Sequence, residues 1–137
     1  MFIKDIKFNV LFSEFAEKHF CKKFLKDYKP KAWLITKKSI VDILERAFAF
    51  QKTNLIDPLK FSQEDNIGIS KLDFKVAGTN TSPKSSGNRV VFTFCNDTGE
   101  IEILIVYGKK HCSKNNETQW ILQKIKDNFP QYKKYCL

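Results

Sequence analysis

Arginine is almost missing from this chain: Arg46 and Arg89 are the only two among 24 basic residues. Histidine is equally scarce, at His19 and His111, and the four cysteines (Cys21, Cys95, Cys112, Cys136) form no CxxC pair. Zinc sites and disulfide frameworks need closely spaced soft ligands or paired thiols, so the pattern predicts free, inert cysteines and neither a metal nor another cofactor. No apolar run approaches the ~20 residues that span a bilayer. The opening Met-Phe-Ile-Lys-Asp-Ile-Lys breaks its apolar residues with charge too often for a signal peptide, so the expectation is a cytoplasmic protein with no membrane partner.

What is present is a hydrophobic content of 42%, thirteen phenylalanines and a net charge of +9 over 137 residues. That is enough chain for one domain, residues 1–137, with a real core. The charge favours an anionic partner, nucleic acid first, with an acidic protein as the other fit.

Period-two alternation in Phe2–Val10 predicts a half-buried strand. Ser13 then offers a helix cap, and Ala16, Phe20 and Phe24 mark a helix over Glu14–Tyr28 that Pro30 ends. Ile40, Ile43, Leu44, Ala47 and Phe48, with Trp33 before them, form the apolar stripe of a second helix from Lys31 or Lys37 to Gln51. Asn54–Gly68 has no clear period and reads as a loop. Ser70–Ala77 alternates as a strand with Leu72, Phe74 and Val76 on one side and Lys71, Asp73 and Lys75 on the other, Asp73 being expected to pair with its lysine neighbours. Gly78–Gly87 reads as the most flexible connection, leading to a strand at Arg89–Cys95 and an apolar, central strand at Ile101–Tyr107. A last helix runs from about Asn116 to Asn128 and closes at Phe129-Pro130. The order β-α-α-β-β-β-α predicts an α+β fold of two layers, a helical hairpin on a four-stranded, mostly antiparallel sheet, with the first strand beside the fourth.

Antiparallel pairing folds the start of the Arg89 strand beside the end of the next, where Lys109, Lys110 and His111 follow. Lys71, Lys75 and Lys84 are expected at the same rim. Such a cluster suits a phosphodiester. RNA supplies its own 2′-hydroxyl nucleophile, so a site need only align attack, take a proton and stabilise charge on phosphate. Arg89 is the best two-oxygen clamp, a crowded lysine can act as base, and His111 titrates near neutrality unaided. Tyr107 and Trp120 could reach a nucleotide as stacking rings, although packing is the plainer use of both.

Three stretches carry a family resemblance: Gly68-Ile-Ser-Lys-Leu-Asp-Phe-Lys75, Ser85-Ser-Gly-Asn-Arg-Val-Val-Phe92 and Ile103-Leu-Ile-Val-Tyr-Gly-Lys-Lys110. Together they resemble the RelE/ParE superfamily of bacterial toxins, closest to the RelE-type and HigB-type ribosome-dependent mRNA interferases. The resemblance covers about residues 68–122. It implies the toxin of a type II toxin–antitoxin system, an endoribonuclease that cuts mRNA on the ribosome by 2′-hydroxyl attack and inhibits translation. Its partners would be a cognate antitoxin, the ribosome and mRNA. On that resemblance Arg89 matches the phosphate-binding arginine, Lys71 and Lys75 the lysine pair, and Lys110 a second basic position; His111 as a further catalytic candidate, and Lys84, Lys109, Tyr107 and Trp120 as RNA contacts, rest on their own chemistry and expected placing at the rim. Two other readings stand beside it: a ParE-like inhibitor of DNA gyrase, and a non-catalytic module that binds nucleic acid or protein.

Overall fold

Ser13 does what its position predicts: its hydroxyl accepts a hydrogen bond from the Ala16 amide at 3.1 Å and starts the first helix. The computed structural model describes residues 7–47, 54–108 and 116–137. In chain order these form strand β1 (Asn9–Phe12), helix α1, helix α2 (Pro30–Glu45), strands β2 (Ile56–Ser62) and β3 (Ile67–Phe74), a short helix α3 (Pro83–Ser86), strands β4 (Asn88–Cys95) and β5 (Glu100–Tyr107), and helix α4 (Glu117–Asn128). Helix α4 ends at Asn128 with Phe129 as its cap, as expected, and a 3-10 segment, Pro130–Cys136, follows it. Helix α1 is composite: α-helical turns at Glu14–Ala16 and Lys22–Asp27 flank a π turn at Glu17–Cys21.

The fold is α+β, but the sheet has five strands rather than four, in the order β1-β5-β4-β3-β2. The extra strand is β2, which lies where the sequence reads as a loop. Pro58 hides it. Proline cannot donate to a ladder and is tolerated on an edge strand, and β2 is that edge, its register slipping between Pro58 and Lys60. The other edge is β1, parallel to β5 with Asn9 opposite Glu100 and Phe12 opposite Ile103, while every other pairing is antiparallel. The first strand thus lies beside the expected partner. Its described part, Asn9–Phe12, runs two residues past the predicted end at Val10, and residues 2–6 of the predicted Phe2–Val10 strand lie outside the described residues.

Both faces of the sheet are covered, against the two-layer expectation. On one face Phe24 of α1 and Trp33 of α2 stack at 4.7 Å and both meet Phe74. Residues opposite one another across a ladder share a face, and neighbours along a strand do not. Lys71, Arg89 and Tyr107 therefore lie on the other face, where Glu117 bonds Lys71, Trp120 packs on Tyr107 and Tyr132 donates to Glu102 at 2.6 Å. Burial from both sides explains why β4 and β5 are apolar almost throughout.

β1 ends opposite Ile103, and the Ser13 amide bonds the Ile103 carbonyl at 2.9 Å as the chain turns into α1. Helix α1 then takes over the flank of β5, where its Phe20 meets Trp120 of α4 at 6.4 Å. It touches both covering layers.

Gly78–Gly87 is not simply a flexible link. Ser82 and Ser85 form a reciprocal capping box around α3, and Gly87 closes it with a left-handed φ of 78°. At Gly68 a side chain would meet the Phe94 ring at 2.2 Å, and Phe61 stacks on that ring from the neighbouring strand. The site of α3 governs the geometry around Arg89.

Candidate functional site

The register sets Asp73 directly opposite Arg89, and Arg89 opposite Tyr107, in one row across β3, β4 and β5. Their side chains point off one face, so the basic end of the sheet forms as expected, but with a carboxylate inside it. Arg89 Nε donates to Asp73 Oδ1 at 2.9 Å, and the two side chains are only 14% and 13% exposed. The rest of the guanidinium faces backbone: Nη1 donates to the Asn88 carbonyl at 2.8 Å and reaches the Pro83 carbonyl at 3.5 Å, while Nη2 donates to the Lys84 carbonyl at 3.2 Å. Helix α3 supplies two of these oxygens. The predicted phosphate clamp is a mostly buried ion pair that fastens α3 to the sheet, with Nε and both Nη atoms already engaged. Asp73 pairs with Arg89, not with its lysine neighbours. Burial outweighs the nearby Arg89, Lys71 and Lys84 and leaves the Asp73 carboxyl above its ordinary value.

Lys71 is committed in the same way. Its Nζ lies 2.6 Å from Glu117 Oε1 and 3.9 Å from Asp57, and its side chain is 14% exposed. Burial works to raise the Glu117 carboxyl, but the hydrogen bond and charge of Lys71, helped by Tyr107 and Arg89, prevail and hold it below the ordinary value. Glu117 opens α4, where a carboxylate also suits the positive helix end. The ion pair therefore ties α4 to the sheet. Lys71 thus stands in an ion pair rather than free at the rim of the sheet.

Tyr107 is fully buried and Trp120 half-buried, their rings 5.0 Å apart. Tyr107 is a packing residue rather than a surface for RNA. Lys75 and Lys84 are exposed, Lys75 just beyond the end of β3 and Lys84 on α3. Lys109, Lys110 and His111 lie outside the described residues. Of the predicted site, Lys71, Arg89, Tyr107 and Trp120 come together, but as a structural seam.

Cys21, Cys95 and Cys136 are free, and burial, with Glu17 adding to it, pushes the Cys21 thiol up to about 12. Cys112 lies outside the described residues. Among the described residues no group of acidic, histidine or cysteine side chains is placed to hold a metal, and no helix is long and apolar enough to cross a membrane.

The unneutralised charge sits elsewhere. Residues 18–38 contain eight lysines and a single acid, Asp27, while over both helices, residues 14–45, the further acids Glu14, Glu17, Asp42 and Glu45 bring the net to +3. Seven of those lysines (18, 22, 23, 26, 29, 31 and 38) are exposed on α1, α2 and the link between them. Lys37 is half-buried, bonded to Glu17 and set over the Phe12 ring at 4.6 Å. This concentration is countable in the sequence. No family model matches the chain, and neither a curated protein nor a solved structure matches it significantly.

Proposed function

We propose that this protein is a non-catalytic nucleic-acid-binding module whose contact surface is the lysine-rich helical pair α1–α2. The observation that carries the reading is the run of seven exposed lysines in residues 18–38, six of which have no ion-pair partner among the described residues. Lysines spaced along two helices neutralise phosphates and release counterions without requiring one fixed geometry. The seam cations support the same reading from the other side, because Lys71 and Arg89 are spent on Glu117 and Asp73. Binding of labelled RNA, followed by anisotropy against salt, tests it. Replacing Lys26, Lys29 and Lys31 with Gln should reduce the slope of log K against log salt by about 2, at ~0.7 per phosphate contact. Failure of the unaltered protein to bind any polyanion at low salt would discard the proposal.

The second reading is the RelE-like one: an mRNA interferase toxin, held in check by an antitoxin, on a RelE-like domain with one added edge strand. What favours it is the order of elements, with a helical pair between the first strand and a meander of antiparallel strands. Its exposed described cations are Lys75 and Lys84. An in vitro translation reaction with cleavage mapped on the message separates the two readings. Cutting that Lys75→Ala or Lys84→Ala removes would favour the toxin. Arg89→Ala is uninformative there, since it strands a buried carboxylate and endangers the fold.

A further inference from the structure

Helix α1 crosses α4 where Phe20 meets Trp120, and a cavity of about 540 Å³ opens between the two helices. That volume falls within the ~300–1,000 Å³ of ordinary ligand sites. Its lining comprises three aromatic rings (Phe15, Phe20, Trp120), a histidine, four lysines and an asparagine, with no acidic side chain. We infer that this cleft is a groove for single-stranded nucleic acid, with Trp120 as the ring on which a base stacks. The inference rests on the nucleic-acid-binding reading above and adds where the strand sits and in which form.

The physical case has three parts. The first is ring placement. Trp120 is held between Tyr107 and Phe20 yet stays partly exposed, so a stacking partner is oriented before any strand arrives. Second, charge stands beside the rings. Lys124 Nζ lies 5.7 Å from the Trp120 centroid and Lys23 Nζ 5.4 Å from that of Phe20, so phosphates flanking a stacked base would find cations already in place. Lys22, Lys23 and Lys124 have no acidic partner in an ion pair among the described residues. Lys18 pairs with Glu14 at 2.6 Å, an exposed contact that competes only weakly with a phosphate.

Third, one wall of the cleft is the π turn Glu17–Cys21, a rare irregularity that often lies at functional sites. It carries exposed His19, whose ring meets Phe15 at 4.6 Å. A duplex keeps its bases paired inside and could use only the lysines. An acidic peptide would leave the rings idle. The mixture of rings and cations selects an unpaired strand.

The test uses the full chain and a short oligouridine. Trp33, the other tryptophan, is 1% exposed, so quenching of tryptophan emission reports Trp120. Binding should quench that emission. Trp120→Ala should weaken binding about 10- to 100-fold, the range of one base stack, while Trp120→Phe keeps a ring and most of the affinity but loses the quenching. Lys22→Gln, Lys23→Gln and Lys124→Gln together, all surface changes that leave the core alone, should lower the salt slope by about 2. If these variants bind as well as the parent while the Lys26, Lys29 and Lys31 variant is weakened, the groove is wrong and the module reading stands. Equal affinity for duplex without quenching, or equal quenching by polyglutamate, also overturns the groove. Absence of binding to any nucleic acid overturns both.

Discussion

Two sets of cations in this molecule have opposite fates. On the sheet, Arg89 and Lys71 are mostly buried, and each faces a carboxylate from another element, Asp73 and Glu117. On the helical pair, Lys22, Lys26 and Lys31 are exposed and solvated. A buried cation without a counter-charge costs several kcal/mol, so the sheet cations acquired partners and became ties between layers. A surface lysine costs almost nothing to leave unpaired and keeps its charge for a ligand. Burial, more than residue type, separates structural cations from available ones here. The arginine that looks best suited to phosphate is the one least able to bind it.

The contrast can be broken by experiment, beginning where the effect is largest. Asp73→Ala leaves the Arg89 guanidinium buried without its partner and should destabilise the fold by about 3–5 kcal/mol, read from denaturant midpoints. A loss below about 1 kcal/mol would mean that water reaches Arg89 and that the sheet site is open after all.

Next in size is the pH dependence of the Lys71–Glu117 tie. Glu117 sits below its ordinary value, so its contribution is present above the ordinary carboxylate range and disappears as pH falls through the lowered folded value. Asp73 is shifted the other way by burial, and its contribution is present at low pH and declines as pH rises through its raised folded value. Glu117→Gln isolates the first effect. Between about pH 7 and about pH 3 the parent should lose more thermal stability than the variant. Parallel curves would show that the tie contributes nothing.

Smallest of all on stability, replacing Lys26, Lys29 and Lys31 with Gln should move the melting free energy by no more than about 0.5 kcal/mol. The same protein should bind RNA more weakly. A variant that melts early would place these lysines in the structural class and erase the contrast.

The periodic elements were legible because each shows its pattern within a few residues. Ser13 caps, Pro30 separates the helices, and Leu72, Phe74 and Val76 all point to the core. Edge strand β2 was not legible, because Pro58 and charged Asp57 and Lys60 interrupt any alternation that a half-exposed strand would show. The pairing of the sheet cations was not legible for a different reason. The sequence places Lys71, Asp73 and Arg89 near one rim, but only the register sets Asp73 opposite Arg89, and only tertiary packing brings Glu117 to Lys71 across 46 positions. Proximity of cations could be read from the chain. Their neutralisation could not.

One consequence follows from the parallel pairing of β1 with β5. The start of the chain finds its hydrogen-bonding partner only at Glu100–Ile103, so a ribosome must deliver most of the polypeptide before that seam can zip. The β3–β4–β5 meander joins strands that are neighbours in the chain, by a tight turn between β4 and β5 and a longer link through α3 between β3 and β4, which casts it as nucleus and the amino-terminal strand as a late arrival. Val10→Ala should accordingly speed unfolding far more than it slows refolding in stopped-flow traces.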